Sequence, residues 1–168
     1  MGQPGVPGQA VGGERAGFGT RLGAYILDSI LYGLLGMLFV IPGIILIVQS
    51  FSDCVSFNDE VVCPPGSPKG GMIGAGIALM LVGMLVVFIL FVRAMGKTGQ
   101  TWGSKIVGVK VISATTGEPI GVGKAIGRTL FAGFISANVF YLGYLWMLWD
   151  DKKQTWQDKV VSSIVVKV

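Results

Sequence analysis

The feature that most constrains this chain is the run at residues 22–48, which is almost wholly apolar and holds a single charged side chain, Asp28. A helix needs roughly 20 such residues to cross the hydrocarbon core of a bilayer, and this run is longer. A second run, residues 72–92, carries no charge and ends at Arg93. With 52% of its side chains hydrophobic and only 13% charged, the chain is too apolar for an ordinary soluble domain. The lipid bilayer is therefore the expected solvent, with one membrane domain spanning residues 18–168.

The remaining segments are assigned by composition. Residues 1–17 hold Pro4, Pro7 and several glycines but almost no large apolar side chain, so a disordered cytoplasmic tail is expected. Pro42-Gly43 predicts a kink or an early exit near the end of the first span. Residues 49–71, with Asp53, Asp59, Glu60 and Pro64-Pro65, read as an outer loop. Gly76 and Gly83 lie two turns apart in the second span, where they allow close helix contact or simply reflect the frequency of glycine in membrane helices. Residues 93–124 carry Lys97, Lys105, Lys110 and Lys124 against Glu118 alone. By the positive-inside rule, that loop and the amino terminus face the cytoplasm of a multi-pass plasma-membrane protein.

Residues 106–112 are β-branched and precede the turn signal Thr115-Thr116-Gly117-Glu118-Pro119, so they read as a strand able to pair with residues 163–168 in the cytoplasm. An echo supports the pairing. Gln100-Thr101-Trp102-Gly103-Ser104-Lys105 recurs as Gln154-Thr155-Trp156-Gln157-Asp158-Lys159, each before a β-branched run. The apolar stretch within residues 125–149 admits two readings, one full span or a broken, re-entrant segment with its break near Ser136-Ala137-Asn138. The four lysines of the tail at 150–168 and the strand pairing favour the second. The expected fold class is thus a membrane all-α bundle: two full spans, a third broken or re-entrant segment, and a short cytoplasmic β pair.

A carboxylate inside a membrane helix costs about 2.5–3.5 kcal/mol near its centre, so Asp28 requires a partner, a proton or a wet cavity. Arg21 lies seven residues earlier on the same helical face, roughly 10 Å away along the axis, too far for their backbones to meet. Arg128 opens the third segment at a comparable depth, and Asp158 stands ready to counter one arginine from the tail. The expectation is a polar cluster of Arg21, Asp28, Arg128 and Asp158. It either binds a monovalent cation, a proton or a small charged ligand, or it serves as a salt-bridge network that holds helices together.

Several function classes fall away. Histidine is absent, and no P-loop, GxSxG, HExxH or metal-ligand spacing occurs, so neither catalysis nor a metal or cofactor is expected. The net charge of +4 comes from residues flanking apolar runs, which argues for membrane topology and against nucleic acid. Cys54 and Cys63 lie outside any CxxC pattern and are either a disulfide facing an oxidising compartment or two free thiols.

Gly19-Thr20-Arg21-Leu22-Gly23-Ala24-Tyr25-Ile26-Leu27-Asp28, Thr101-Trp102-Gly103-Ser104-Lys105, Val109-Lys110-Val111, Arg128 and the block from Gln154 to Lys159 follow one order along the chain. In these motifs the chain resembles the RDD family of small bacterial membrane proteins, named for an arginine and two aspartates. The resemblance matches Arg21 and Asp28 to the first two and Asp158 to the second aspartate, with Asp151 the alternative. It departs at Gln157, where many members have histidine. It implies a role in transport, including cation/proton exchange for some members. Beyond the lipid bilayer, the expected partners are further copies of the chain or other membrane protein subunits. The alternative is an accessory or assembly subunit of a larger membrane complex.

Overall fold

The computed structural model describes residues 13–58, 60–136 and 142–168; the side chains of Ser136 and Leu142 are outside the description. The chain divides into two units, one of residues up to 31 together with 90–168, the other of residues 32–89. Two long helices contribute to both, α1 (Phe18–Ser50) and α2 (Gly70–Thr98). Their 33 and 29 residues give lengths of about 50 and 44 Å, and both are apolar enough to cross a membrane. Each extends beyond the apolar run that predicted it, because an established helix propagates through polar ends carrying Arg21, Arg93 and Lys97. Pro42 causes no early exit. The helix continues to Ser50, as membrane helices tolerate the loss of one N–H donor.

In the unit of residues 32–89, α1 and α2 approach at their glycines. A Cβ on Gly76 would lie 2.6 Å from the Gly43 carbonyl oxygen, and one on Gly83 would overlap the Phe39 side chain. Both glycines singled out in the second span therefore stand at helix contacts, where any larger residue would force the helices apart. Leu38 and Met84 remain exposed, as lipid-facing positions are. The connection expected as a plain loop holds a hairpin, β1 (Val55–Phe57) with β2 (Glu60–Val62), paired antiparallel. A disulfide joins Cys54 to Cys63 at the base of this hairpin, with their Cα atoms 4.2 Å apart.

The other unit is built on a repeat. Thr101 caps a short helix, α3 (Trp102–Val107), which Gly108 ends at φ 71° before β3 (Val109–Ser113). Thr155 likewise starts α6 (Trp156–Val160), followed by Ser162 at φ 53° and β4 (Ser163–Lys167). β3 and β4 pair antiparallel with Val111 opposite Val165. Exchanging the two repeats maps every pair of this ladder onto another, Val109–Lys167 onto Ser113–Ser163 and Lys110–Val166 onto Ile112–Ile164, so a local pseudo-twofold runs through the central valines. The first strand is shorter than the expected 106–112. Ile106 and Val107 favour strand, but the Thr101 cap and the left-handed Gly108 enclose them in the helix.

Between the repeats lie α4 (Val122–Phe131), a π-helical turn (Ala132–Ser136), α5 (Leu142–Leu145) and a 3-10 turn (Trp146–Leu148). Of the expected break at Ser136-Ala137-Asn138, Ala137 and Asn138 lie outside the described residues. The expected tail at 1–17 gives way to ordered chain before its end. The Lys167 amide donates to the Glu14 carbonyl at 2.8 Å and the Ala16 amide to the Val165 carbonyl at 3.0 Å, with Ala16 fully buried. The physical reason is β4's second edge, whose backbone groups need partners that β3 cannot supply. Residues 1–12 lie outside the described residues.

Candidate functional site

The first turns of α1 carry Arg21 and Asp28 on one face, and each reaches the start of a different repeat. Arg21 reaches the second. Its Nη1 donates to Asp158 Oδ2 at 2.6 Å, its Nη2 to the Lys153 carbonyl at 2.6 Å and its Nε to the Ala16 carbonyl at 3.3 Å. Arg128, in the last turn of α4, donates from Nε to Asp158 Oδ1 at 2.9 Å, with its Nη1 3.6 Å from Met95 Sδ. Asp158 also accepts from the Thr155 amide at 3.2 Å and the Ser163 hydroxyl at 3.2 Å. Two arginines and two neutral donors thus meet on one carboxylate.

The Asp158 side chain is 0% exposed. Burial by itself would raise its pKa, but Arg128 and Arg21 outweigh that penalty and hold the group at about 2, below the ordinary 3.8. It is therefore ionised at any physiological pH. The position is fixed by local sequence, since Asp158 is the third residue of α6 and reaches back to the Thr155 amide in a capping box.

Asp28 meets the first repeat. The Thr101 hydroxyl donates to its Oδ2, and the Gly103 amide donates to Oδ1 at 2.7 Å. Gly103 is required there because a Cβ would lie 2.7 Å from the Asp28 amide nitrogen and overlap the Ala24 carbonyl. The first turn of α3 consequently packs directly on the α1 backbone.

The expected single cluster is thereby corrected. Arg21, Arg128 and Asp158 come together, whereas Asp28 is bonded to Thr101 and Gly103 instead of to an arginine. Asp151, the alternative second aspartate, is exposed and lies outside the cluster. Its neighbour Asp150 pairs with Lys159 at 2.5 Å and accepts the Gln154 amide at 2.9 Å. The sequence reading missed Thr101, Gly103 and Thr155 as site residues. The signal that marks them is the repeated Thr-Trp before a β-branched run, which reads as a helix cap.

The separated groups share a cavity of about 550 Å³ whose polar wall includes Arg21, Asp28, Thr101, Arg128, Thr155 and Gln157. Its apolar wall includes Leu22, Phe91, Met95, Leu145 and Met147. Among the described residues, no three carboxylates, histidines or cysteines gather as metal ligands do. The arrangement offers fixed charges and hydrogen-bond donors beside an apolar surface, which is a means of binding.

The RDD family model matches residues 15–162, which include Arg21, Asp28, Thr101, Gly103, Arg128, Thr155 and Asp158. The chain is 31% identical over 150 residues to the proline-rich antigen of Mycobacterium leprae (strain TN), covering 89% of this chain and 59% of that protein. It is 34% identical over 152 residues to the proline-rich antigen homolog of Mycobacterium tuberculosis (strain ATCC 25618 / H37Rv), covering 89% and 62%. The uncharacterized protein YxaI of Bacillus subtilis (strain 168) is 30% identical over 142 residues, covering 82% of this chain and 88% of that protein. The chain thus spans about three fifths of the length of the mycobacterial relatives. No solved structure matches it. With its arginine and two aspartates each in a defined bonding role, the chain belongs to the RDD family of membrane-type proteins.

Proposed function

We propose that this RDD-family chain is a multi-pass protein of the bacterial plasma membrane that binds a monovalent cation, a proton or a small charged ligand in the cavity beside Asp28 and moves it across the bilayer. The amino terminus and the basic 93–124 segment face the cytoplasm in this reading. The observation that supports it is the cavity of about 550 Å³ whose wall carries Arg21, Arg128 and Asp28. Charged groups are retained at membrane depth at a cost, and a pathway for charged cargo accounts for them. The roles are divided: Asp28 meets a cation or proton, the arginines meet a negatively charged ligand, and Asp158 anchors the two arginines.

Sodium or proton flux into proteoliposomes tests this. Asn at position 28 retains an oxygen to accept the Gly103 amide, so Asp28→Asn alters charge with little change of shape. Flux is expected to fall at least about tenfold, the scale of losing a charged hydrogen-bonding partner. Equal flux in wild type and variant contradicts the reading, as does a wild type without flux.

A second reading, an accessory or assembly subunit, is favoured by the saturation of Asp158. This fully buried carboxylate accepts four donors, as a purely structural ion-pair network requires. Mass spectrometry of proteins co-purified in mild detergent separates the readings. A stoichiometric membrane partner supports assembly, whereas a homo-oligomer that is active alone supports transport.

A further inference from the structure

The two threonines that open the repeats occupy equivalent places but have different fates. The Thr101 hydroxyl donates to the Asp28 carboxylate. Thr155 lines the same cavity, 3% exposed, and its buried hydroxyl has no hydrogen-bond partner of normal geometry among the described residues. It sits over the Asp158 amide in a capping arrangement, which uses an oxygen lone pair and leaves the hydroxyl proton without an acceptor. Buried hydroxyls are ordinarily paired, and one on a cavity wall is satisfied by whatever the cavity binds.

The carboxylates nearby already hold other donors. Asp158 takes four donors, and Asp28 takes Thr101 and Gly103. Donors are in surplus. Beyond its Nε bond to Asp158, the Arg128 guanidinium has Met95 Sδ at 3.6 Å, a weak acceptor for a charged donor. Arg128 and Thr155 are neighbours, since the Arg128 Nε and the Thr155 amide rest on the two oxygens of the same carboxylate. Two guanidinium groups against one carboxylate leave the Asp158 cluster itself with a formal surplus of one positive charge, while Asp28, the other carboxylate on the wall, is held by the neutral donors Thr101 and Gly103. Opposite these polar groups the wall carries the apolar side chains of Leu22, Phe91, Met95, Leu145 and Met147, and a volume of about 550 Å³ lies in the range of organic ligand sites, well above the needs of a bare ion.

We infer that the cavity takes an amphiphile whose head is an oxyanion, a carboxylate or a phosphate ester, and whose body is an apolar chain. The head accepts from Arg128 and the Thr155 hydroxyl; the chain lies along Phe91, Met95, Leu145 and Met147. This rests on the reading of the cavity as a ligand site and narrows its cargo to one chemical class. The shared chemistry fits a free fatty acid or a lipid phosphate, and the probes below distinguish them.

The test uses the full chain in phosphatidylcholine nanodiscs, with empty nanodiscs as background and four probes: dodecanoate, dodecyl phosphate, dodecanol and inorganic phosphate. At least one of the two acidic amphiphiles is expected to bind at least about tenfold more tightly than dodecanol and inorganic phosphate, and the tighter of the two names the head. Thr155→Val is expected to weaken that probe about tenfold, the scale of one hydrogen bond to a charged group, while Thr155→Ser retains it. Dodecanol binding as tightly as both acids overturns the inference, as does inorganic phosphate matching dodecyl phosphate, or Thr155→Val binding like wild type. Cation flux without amphiphile binding overturns this inference and leaves the ion pathway standing. Amphiphile binding without cation flux supports this inference and overturns the ion pathway.

Discussion

Replacing Asp158 by asparagine keeps the size of the side chain and removes the negative charge that Arg21 and Arg128 share at 2.6 and 2.9 Å. The amide presents one oxygen in place of two, so its NH2 must face donors that previously found an acceptor. Two guanidinium groups then remain partly buried, 12% and 15% exposed, without their counter-charge. Removing one partner of a buried ion pair costs about 3–5 kcal/mol, and the wholly buried Asp158 belongs in that class. For a chain of this size each kcal/mol shifts the midpoint by about 2–4 °C, so the expected fall in Tm is on the order of 10 °C. Thermal unfolding in mild detergent, followed by tryptophan fluorescence, measures it, with Trp156 two residues from the substitution. Asp151→Asn, at an exposed neighbouring position, is the control and is expected to stay within about 0.5 kcal/mol of wild type. A loss of under about 1 kcal/mol for Asp158→Asn refutes the assignment of Asp158 as the hub that holds α1 and α4 to the second repeat.

The same carboxylate governs the acid limb of stability. Its folded pKa of about 2 lies below the ordinary 3.8, so its contribution of about 2 kcal/mol is complete above pH 3.8 and lost as pH falls through about 2. An acid titration of Tm shows this slope in wild type, and Asp158→Asn flattens it. Gly103→Ala puts a methyl group against the Asp28 amide and the Ala24 carbonyl, and is expected to cost about 1–3 kcal/mol in thermal unfolding, whereas Gly123→Ala, inside α4 with open space at its Cβ, is expected to be neutral or to stabilise by up to about 1 kcal/mol. Gly76→Leu, aimed at the Gly43 carbonyl 2.6 Å from a Cβ, is expected to separate α1 from α2 and lower crosslinking between cysteines placed on their facing sides. In intact cells, an impermeant maleimide is expected to label Cys54 and Cys63 only after reduction of their disulfide. Labelling without reductant contradicts the bond, and protection after reduction contradicts the outward orientation.

Two helices are legible in the sequence because a bilayer sets a minimum apolar length that few other environments demand, and residues 22–48 and 72–92 both meet it. Arg21, Asp28, Arg128 and Asp158 are legible as special for a related reason: charges in apolar surroundings need partners. Their pairing is not legible. Asp28 finds Thr101 and Gly103 because α1 crosses the first turn of α3 at a glycine, a tertiary fact that spacing along α1 does not contain. Ile106 and Val107 misled in the opposite direction. Their β-branched side chains favour strand, yet the cap before them and Gly108 after them decide for helix. The β1–β2 hairpin escaped because each strand is three residues long, too short to show alternation. The ordered run at Glu14 and Ala16 escaped because its stability comes from the β4 edge and not from its own composition.

The proposed function requires the space beside Asp28 to be a binding cavity, open to the cytoplasm in the proposed orientation, and cysteine accessibility measures both. Ala132 lines the cavity, and the two native cysteines are occupied by their disulfide, so Ala132→Cys supplies a single reactive thiol. A charged thiol reagent is expected to modify this position in inside-out membrane vesicles but not in right-side-out cells, and the amphiphile bound most tightly in nanodiscs is expected to slow the reaction. A thiol that no charged reagent reaches from either side, or one modified at the same rate with and without that amphiphile, contradicts the claim.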